Sequence, residues 1–169
     1  MTATQIEATI DSLELRQVCG EWITGVTVVT SVDSSGTPVG MAVNSFSSLS
    51  LDPPLVLFCP AKTSSTWPKI QENGRFAINI LAKAQGHLPR AFAKPGNEKF
   101  DDVDYTLVTG LPVLSKTSAH LVCSIVDVLE GGDHCIVVGR VESFERHENE
   151  PLIFHRGKVV ELAPVGNGQ

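Results

Sequence analysis

The sequence lacks the signatures of several large enzyme classes. No GxGxxG fingerprint follows an early strand-like segment, and neither a Walker A loop nor an HExxH motif occurs in the 169 residues. Rossmann-type dinucleotide binding, P-loop phosphate binding and zincin-type metal chemistry therefore lose their usual signals. A nucleotide that binds this chain must be held in another way.

Cysteines are few and stand far apart. The four cysteines are Cys19, Cys59, Cys123 and Cys135; none belongs to a CxxC motif, and no histidine-rich motif accompanies them. This spacing argues against a disulfide framework and a cysteine-based zinc site, and we expect no metal. Each cysteine is predicted to be a small core residue. Cys59 is set apart, because it ends an apolar run beside a polar loop.

Positive charge is also scarce. The chain has 13 Lys and Arg against 19 Asp and Glu, a net charge of −6. Such a chain offers no field that would attract nucleic acid or an anionic membrane. No run approaches the roughly 20 apolar residues of a membrane span, and residues 1–12 are polar where a secretory signal would be basic and then apolar. We expect no nucleic-acid or membrane partner and a cytoplasmic location.

The hydrophobic content of 42% in 169 residues is enough for one core and too little for two. The sequence therefore predicts one folded domain over residues 14–162. A flexible N-terminus at residues 1–13 is expected to precede it, and a disordered tail at residues 163–169 to follow it.

Three segments have helical character. The first begins after the capping residue Asp11 and ends near Gly25. Its apolar residues recur at helical spacing: Leu15, Val18, Cys19 and Trp22. Residues 64–74 combine serine caps, an early proline and a terminal glycine, which predicts a second helix. Residues 84–93 are weakly helical and lead into a polar loop at 94–102.

Most of the remaining chain has strand character. Turn residues at 33–36 and 130–134 predict two β-hairpins. Pro53 and Pro54 should precede the strand that follows them, because proline cannot donate to a ladder. The predicted strands are 26–32, 37–43, 55–59, 75–81, 121–129, 135–144 and 158–162. Many strands with only two or three short helices indicate a mainly β, closed-barrel architecture and not an alternating βαβ one.

Two polar stretches are candidate binding elements. Residues 40–54 run from a strand into a segment rich in hydroxyl and amide groups, which can bind a heterocycle edge or a phosphate without net charge. A surface loop of serines is an equally good interpretation of this segment alone. Residues 62–67 place consecutive hydroxyls at a predicted helix N-terminus, where unpaired N–H groups attract anions. Ordinary N-capping is the alternative there.

Histidines mark two further turns. His134 lies at the tip of the second predicted hairpin, and residues 155–157 place another histidine beside an arginine before the last strand. A single turn histidine is more often solvated than catalytic, but two such turns suggest a shared mouth. Reasoning from the residues alone reaches a β-barrel with polar, anion-binding loops and goes no further.

Taken together, six segments resemble the short-chain flavin reductase family, the reductase components of two-component flavin-dependent monooxygenases. They are Gly25–Thr30, Gly40–Pro54, Ser64–Thr66, Gly74–Asn79, Gly132–His134 and His155–Gly157. Their order and spacing match over residues 14–162. The resemblance implies a Greek-key split β-barrel of the FMN-binding type, assembled as a homodimer with FMN or FAD near the dimer interface.

The resemblance also implies site residues. Flavin ring and ribityl contacts would come from Gly40, Met41, Ala42, Asn44, Ser45, Cys59, Pro60 and Ala61. Phosphate would be held by Ser65 and Thr66, with Arg90, Ala91, Phe92 and Lys99 closing around it. His134 would act beside Phe154, His155, Arg156 and Gly157 at the nicotinamide nucleotide. NADH is favoured over NADPH, because Arg156 is the one cation that the sequence offers to a 2′-phosphate.

The implied chemistry is hydride transfer from NADH or NADPH to flavin, which needs orientation more than a nucleophile or a metal. His134 would then act as a positioning or charge-complementing group for the nicotinamide nucleotide. The leading hypothesis is a reductase that releases reduced flavin to a separate oxygenase acting on an aromatic or other small organic compound. The alternatives are a flavoprotein whose tightly bound flavin reduces another acceptor, a non-catalytic flavin-binding protein, and a pure interaction domain.

Overall fold

The computed structural model describes residues 10–94, 96 and 98–161. The helices are α1 (Ser12–Cys19), α2 (Trp67–Asn73) and α3 (Leu88–Ala93), with short 3-10 turns at Lys83–Gln85 and Glu98–Phe100. The strands are β1 (Thr27–Val32), β2 (Pro38–Val43), β3 (Ser47–Leu51), β4 (Pro54–Phe58), β5 (Arg75–Ile80), β6 (Tyr105–Val108), β7 (Leu111–Leu114), β8 (Ala119–Gly131), β9 (His134–Arg146), β10 (Ile153–His155) and β11 (Lys158–Val160). The predicted mainly β class with three short helices is confirmed.

One antiparallel sheet organises the fold. Its seven strands follow the order β2-β1-β5-β8-β9-β4-β3, and β6-β7 and β10-β11 form two separate ribbons. Within the described residues the large sheet has two unpaired edges, β2 and β3. The strand pattern indicated a closed barrel, and the sheet is instead open. An open sheet of this kind is consistent with a split barrel.

The two predicted hairpins are present. In the β1–β2 turn the Asp33 carboxylate accepts hydrogen bonds from the Ser35 and Thr37 N–H groups, and Gly36 takes a φ of 82° that favours glycine. In the β8–β9 hairpin the strands extend to Gly131 and His134, which face each other across the turn. This second turn is tighter than the predicted 130–134 connection.

Four strands, β3, β6, β7 and β10, were not predicted, and each has a local reason. β3 is serine-rich and largely exposed, because it forms a sheet edge where few side chains are buried and apolar residues are not required. β4 begins at Pro54, paired with Leu51, so the prediction that the strand starts after both prolines was wrong by one residue. Proline is tolerated at the first position of a strand. β6, β7 and β10 form ribbons of three or four residues, too short to give a clear pattern.

The first helix begins as predicted, whereas α2 begins at Trp67 and α3 at Leu88, inside the predicted segments 64–74 and 84–93. Asp11 Oδ1 accepts hydrogen bonds from Leu13 N at 2.7 Å and Glu14 N at 3.4 Å, capping α1. α1 ends at Cys19, short of the predicted Gly25, and buries none of its residues. α2 ends at Gly74, whose φ of 75° provides the left-handed cap. The predicted third helix is divided into a 3-10 turn and α3.

The core lies against the central strands β1 and β5. Val28, Val29, Phe76 and Ile78 are all fully buried. The Phe58 ring packs edge-to-face on Phe76 with centroids 5.1 Å apart. Since β1 and β5 are covered on both faces, the outer strands and loops are free to build a site.

The chain ends fall partly outside the described residues. Predicted flexibility at residues 1–9 and disorder at residues 163–169 lie there, as does Leu162 of the last predicted strand. Ser12 and Leu13, included in the predicted flexible segment, belong to α1. Among the described residues no helix is long and apolar enough to cross a membrane.

Candidate functional site

Two adjoining clefts gather most of the predicted site residues. The larger has a volume of about 760 Å³ and the smaller about 430 Å³, and Ala42 and Ala93 line both. Of the predicted residues, the larger cleft is lined by Ala42, Asn44, His134, Phe154 and Gly157. The smaller is lined by Met41, Ala42, Ala61, Ser65, Thr66, Phe92 and Lys99. Segments more than one hundred residues apart in sequence therefore meet at the end of β2.

His134 is held at the mouth of the larger cleft by its neighbours. Its Nδ1 lies 2.7 Å from Asp133 Oδ1, and this hydrogen bond is the main cause that lowers the pKa of the Asp133 carboxyl. The Lys62 N–H donates to the Asp133 carbonyl at 2.9 Å, and Ala61 pairs with His134 as an isolated bridge. The imidazole is thereby oriented with its Nε2 edge free of the aspartate.

The β10–β11 ribbon forms the opposite wall. Phe154 exchanges backbone hydrogen bonds with Thr24, which fixes the ribbon beside the end of α1. Arg156 donates to both carboxylate oxygens of Glu21, at 2.9 and 2.7 Å, and this pairing lowers the pKa of Glu21. His155 Nε2 lies 3.8 Å from the same carboxylate. The Arg156 charge is therefore already paired within the chain.

The N-terminus of α2 opens into the smaller cleft. The Ser64 hydroxyl, two residues before the N-cap Thr66, accepts hydrogen bonds from the N–H groups of Thr66 and Trp67, both at 3.2 Å, and so satisfies donors at the start of the helix. The hydroxyls of Ser65 and Thr66 are left to face the cleft. Ser64 thus supports the capping interpretation of residues 62–67, and ligand binding by Ser65 and Thr66 stays a prediction.

Lys99 closes the smaller cleft from the loop after α3. Its ammonium donates to the Gly40 carbonyl at 2.9 Å and lies 3.4 Å from the Phe92 carbonyl. Burial lowers the pKa of Lys99, and the charge of Lys69 adds to the effect. A Cβ on Gly40 would lie only 2.8 Å from the Phe92 ring, so glycine lets α3 pack closely on β2.

Several predicted residues lie off both cleft walls. The Ser45 hydroxyl bonds the backbone N–H and carbonyl of Cys59, and burial raises the pKa of the Cys59 thiol. These two residues fasten β2 to the end of β4. The other predicted site residues that line neither of these two clefts are Pro60, Arg90, Ala91, His155, Arg156 and Gly40. Gly40 lines a third, smaller cleft with Ser65 and Thr66, and Arg156 lines one beside α1. Their contacts with cofactor stay predictions.

Sequence reasoning missed the contribution of α1. Arg16 and Cys19 both line the larger cleft, and Pro89 of α3 does the same. The expectation that Arg156 is the one available cation was therefore incomplete, because Arg16 also faces the cleft. The sequence signal was a single basic side chain, Arg16, on the helix Ser12–Cys19.

The donors along the two clefts define a class of ligand. Alanine, valine and phenylalanine side chains line the larger cleft, which suits a flat ring, while hydroxyl side chains and two lysines, Lys94 and Lys99, line the smaller, which suits a phosphate. The cleft residues therefore fit a flavin nucleotide. By fold and site this is a mainly β nucleotide-binding protein.

Comparison with known proteins names the family. Residues 20–163 match the flavin reductase like domain, so the chain belongs to the flavin reductase-like family. It is 44% identical over 157 residues to the reductase subunit HsaB of a flavin-dependent monooxygenase from Rhodococcus jostii, covering 92% of this chain and 80% of that protein. It is 43% identical over 148 residues to an NADH-dependent FMN reductase from Agrobacterium fabrum, covering 87% and 84%.

A solved structure agrees with the sequence relatives. The NADH:FAD oxidoreductase of Streptomyces globisporus, in complex with NAD and FAD fragments, superposes with a TM-score of 0.87 at 39% identity, covering 93% of this chain and 96% of that one. The predicted resemblance to flavin reductases and the predicted activity class, an NAD(P)H:flavin oxidoreductase, are confirmed.

Proposed function

We propose that this chain reduces FMN or FAD with NADH and releases the reduced flavin to a separate flavin-dependent monooxygenase that acts on an aromatic or other small organic compound. One observation carries the proposal. Two adjoining clefts that meet at Ala42 place a hydroxyl-rich helix start on one side, and His134 with Phe154 and Gly157 on the other. The names of the relatives from Rhodococcus and Agrobacterium support it.

The flavin would lie along the end of β2. Met41 and Ala42 would contact its ring system, with Asn44 and Ala61 at the polar edge, and the Ser65 and Thr66 hydroxyls would hold phosphate. The Lys99 ammonium, already fixed by the Gly40 carbonyl, would complement the phosphate charge. Bound flavin supplies the hydride acceptor of the reaction.

The nicotinamide nucleotide would lie between His134 and Phe154. Phe154 offers an apolar face, and His134, oriented by Asp133, is a positioning group. Arg16 would pair with nucleotide phosphate, since it faces the larger cleft. Arg156 is neutralised by Glu21, which supports NADH over NADPH.

Release of the flavin is supported by the exposure of two of its proposed contacts. Asn44 and Ser65 are exposed, although Met41 and Thr66 are buried. Of the two lysines on the smaller cleft, Lys99 already donates to the Gly40 carbonyl of the chain itself. Such a site holds a ligand through few fixed charges. A protein built to retain flavin permanently would bury more of these contacts.

Release is tested by mixing the dialysed protein with equimolar flavin and excess NADH without oxygen, then separating protein from small molecules by rapid gel filtration. We expect colourless protein after dialysis and reduced flavin in the small-molecule fraction. A protein that stays yellow through dialysis and keeps its flavin would contradict release and favour the alternative of a prosthetic flavin reducing another acceptor.

Three further proposals concern the whole chain. We propose a homodimer of split barrels, supported by apolar side chains left exposed on α1 and the loop after it, Leu15, Val18 and Trp22. We propose a single domain over residues 14–162 and a cytoplasmic location, the latter supported by the four free cysteines.

A further inference from the structure

Three metal-ligating side chains meet at the far end of the longest hairpin. His120 and Glu145 are directly paired across β8 and β9, and His147 follows Glu145 by two residues. His120 and Glu145 therefore share one face of the sheet, and His147 lies just beyond the end of β9. One ligand atom from each lies within 4.8 Å of the other two.

The buried member of this cluster has an unused ring nitrogen. His120 is 6% exposed, and its Nδ1 has no hydrogen-bond partner among the described residues. Buried polar atoms are nearly always paired, so a lone one asks for an explanation. An ion bound at the cluster would give this buried imidazole a partner.

The two imidazole rings of the cluster are not packed against each other. The His120 and His147 rings are 5.8 Å apart and tilted by 31°, which leaves room between them.

We propose that His120, Glu145 and His147 form a binding site for one divalent transition-metal ion, zinc above others. Two imidazoles and a carboxylate are a donor set that zinc accepts, with water as the fourth ligand. Magnesium and calcium prefer oxygen ligands and are disfavoured. None of the three residues lines the flavin clefts. The ion would therefore have a structural role, holding the open end of β8 and β9 together, and would take no part in hydride transfer.

The side chains must close a little to bind. Around a tetrahedral ion with bonds of about 2.0–2.2 Å, ligand atoms stand about 3.3–3.6 Å apart. Glu145 and His147 supply this movement, because their side chains are 65% and 34% exposed, and Glu145 Oε1 already lies 3.9 Å from His147 Nδ1. His120 stays in place as the fixed ligand.

The test is zinc titration of the untagged, metal-stripped protein by calorimetry, with cobalt absorption spectra as a second readout. We expect one equivalent per chain. His147→Gln should weaken binding by about 100-fold, because loss of a direct ligand costs at least as much as the roughly 10–100-fold seen when an outer partner is removed. His87→Gln, an exposed histidine outside the cluster, is the matched control and should bind as the wild type does.

Glu145→Gln provides a second variant, since Glu145 is exposed and its loss leaves the buried face unchanged. It too should weaken zinc binding, and cobalt should show the intense visible bands of a tetrahedral site only in the wild type and the His87 control. Absence of binding in the wild type, or equal affinity in the His147 variant and the control, would overturn the proposal.

Discussion

At the scale of single residues, His134 is the most informative position. We expect His134→Ala to raise the KM for NADH about 10-fold while the flavin Kd changes less than 2-fold, because the imidazole lies at the mouth of the larger cleft and the smaller cleft has other ligands. Steady-state rates and flavin fluorescence titration measure the two quantities. His87→Ala, exposed and on neither cleft, is the control. An unchanged KM would remove the positioning role.

Gly40 tests the packing that shapes the smaller cleft. Gly40→Ala places a methyl group 2.8 Å from the Phe92 ring, so α3 must move away from β2. We expect a loss of about 1–3 kcal/mol in the free energy of unfolding, measured by urea denaturation, and weaker flavin binding. Gly25→Ala is the control, since its nearest contact would be an ordinary 3.7 Å. Equal stability of the two variants would refute the close-packing argument.

At the scale of elements, Asn79 joins three strands. Its buried side-chain amide donates to the Val28 carbonyl and Thr30 hydroxyl of β1, and its carbonyl accepts from Leu114 N of β7 at 2.8 Å. Asn79→Ala should lower the free energy of unfolding by about 2–4 kcal/mol, because it leaves buried groups unpaired. Asn73→Ala, whose single bond to Val32 is exposed, should cost under about 1 kcal/mol. Urea unfolding of both variants measures the difference.

The sequence predicted the elements that local chemistry specifies. Asp11 capping α1, Gly74 ending α2 and the Asp33 turn are all recognisable from neighbouring residues, and they are present. β3 was not predictable in this way, because its serines become a strand only when β4 lies alongside. The role of Asn79 has the same origin, since its partners come from distant strands.

At the scale of the whole molecule, the exposed apolar face formed by α1 and the loop after it, here called the α1 face, needs a cover. Leu15 and Val18 of α1 are 51% and 65% exposed, and Trp22 of the loop is 78% exposed. Light scattering after gel filtration should give about twice the 18.1 kDa chain mass. Trp22→Glu should shift the protein toward monomer, while Leu51→Glu, equally apolar and 94% exposed on edge strand β3, should not. A monomeric wild type would contradict the dimer, and dissociation by the Leu51 variant alone would contradict the α1 face.

The assembly of the site could be predicted only through resemblance. His134, Ser65 and Phe154 were named from motifs, yet nothing in their spacing placed them together. The contribution of Arg16 was missed for the same reason: it enters the larger cleft because β10 pairs with Thr24 beside α1, and no local pattern reports that contact.

The central claim is hydride transfer from reduced nicotinamide to flavin in the adjoining clefts. The most direct measurement is the loss of 340 nm absorbance when purified protein meets NADH or NADPH in air with FMN or FAD added. We expect rapid oxidation of the nicotinamide cofactor that depends on added flavin and is faster with NADH than with NADPH. No oxidation with any pair would contradict the reductase and leave a flavin-binding protein without turnover.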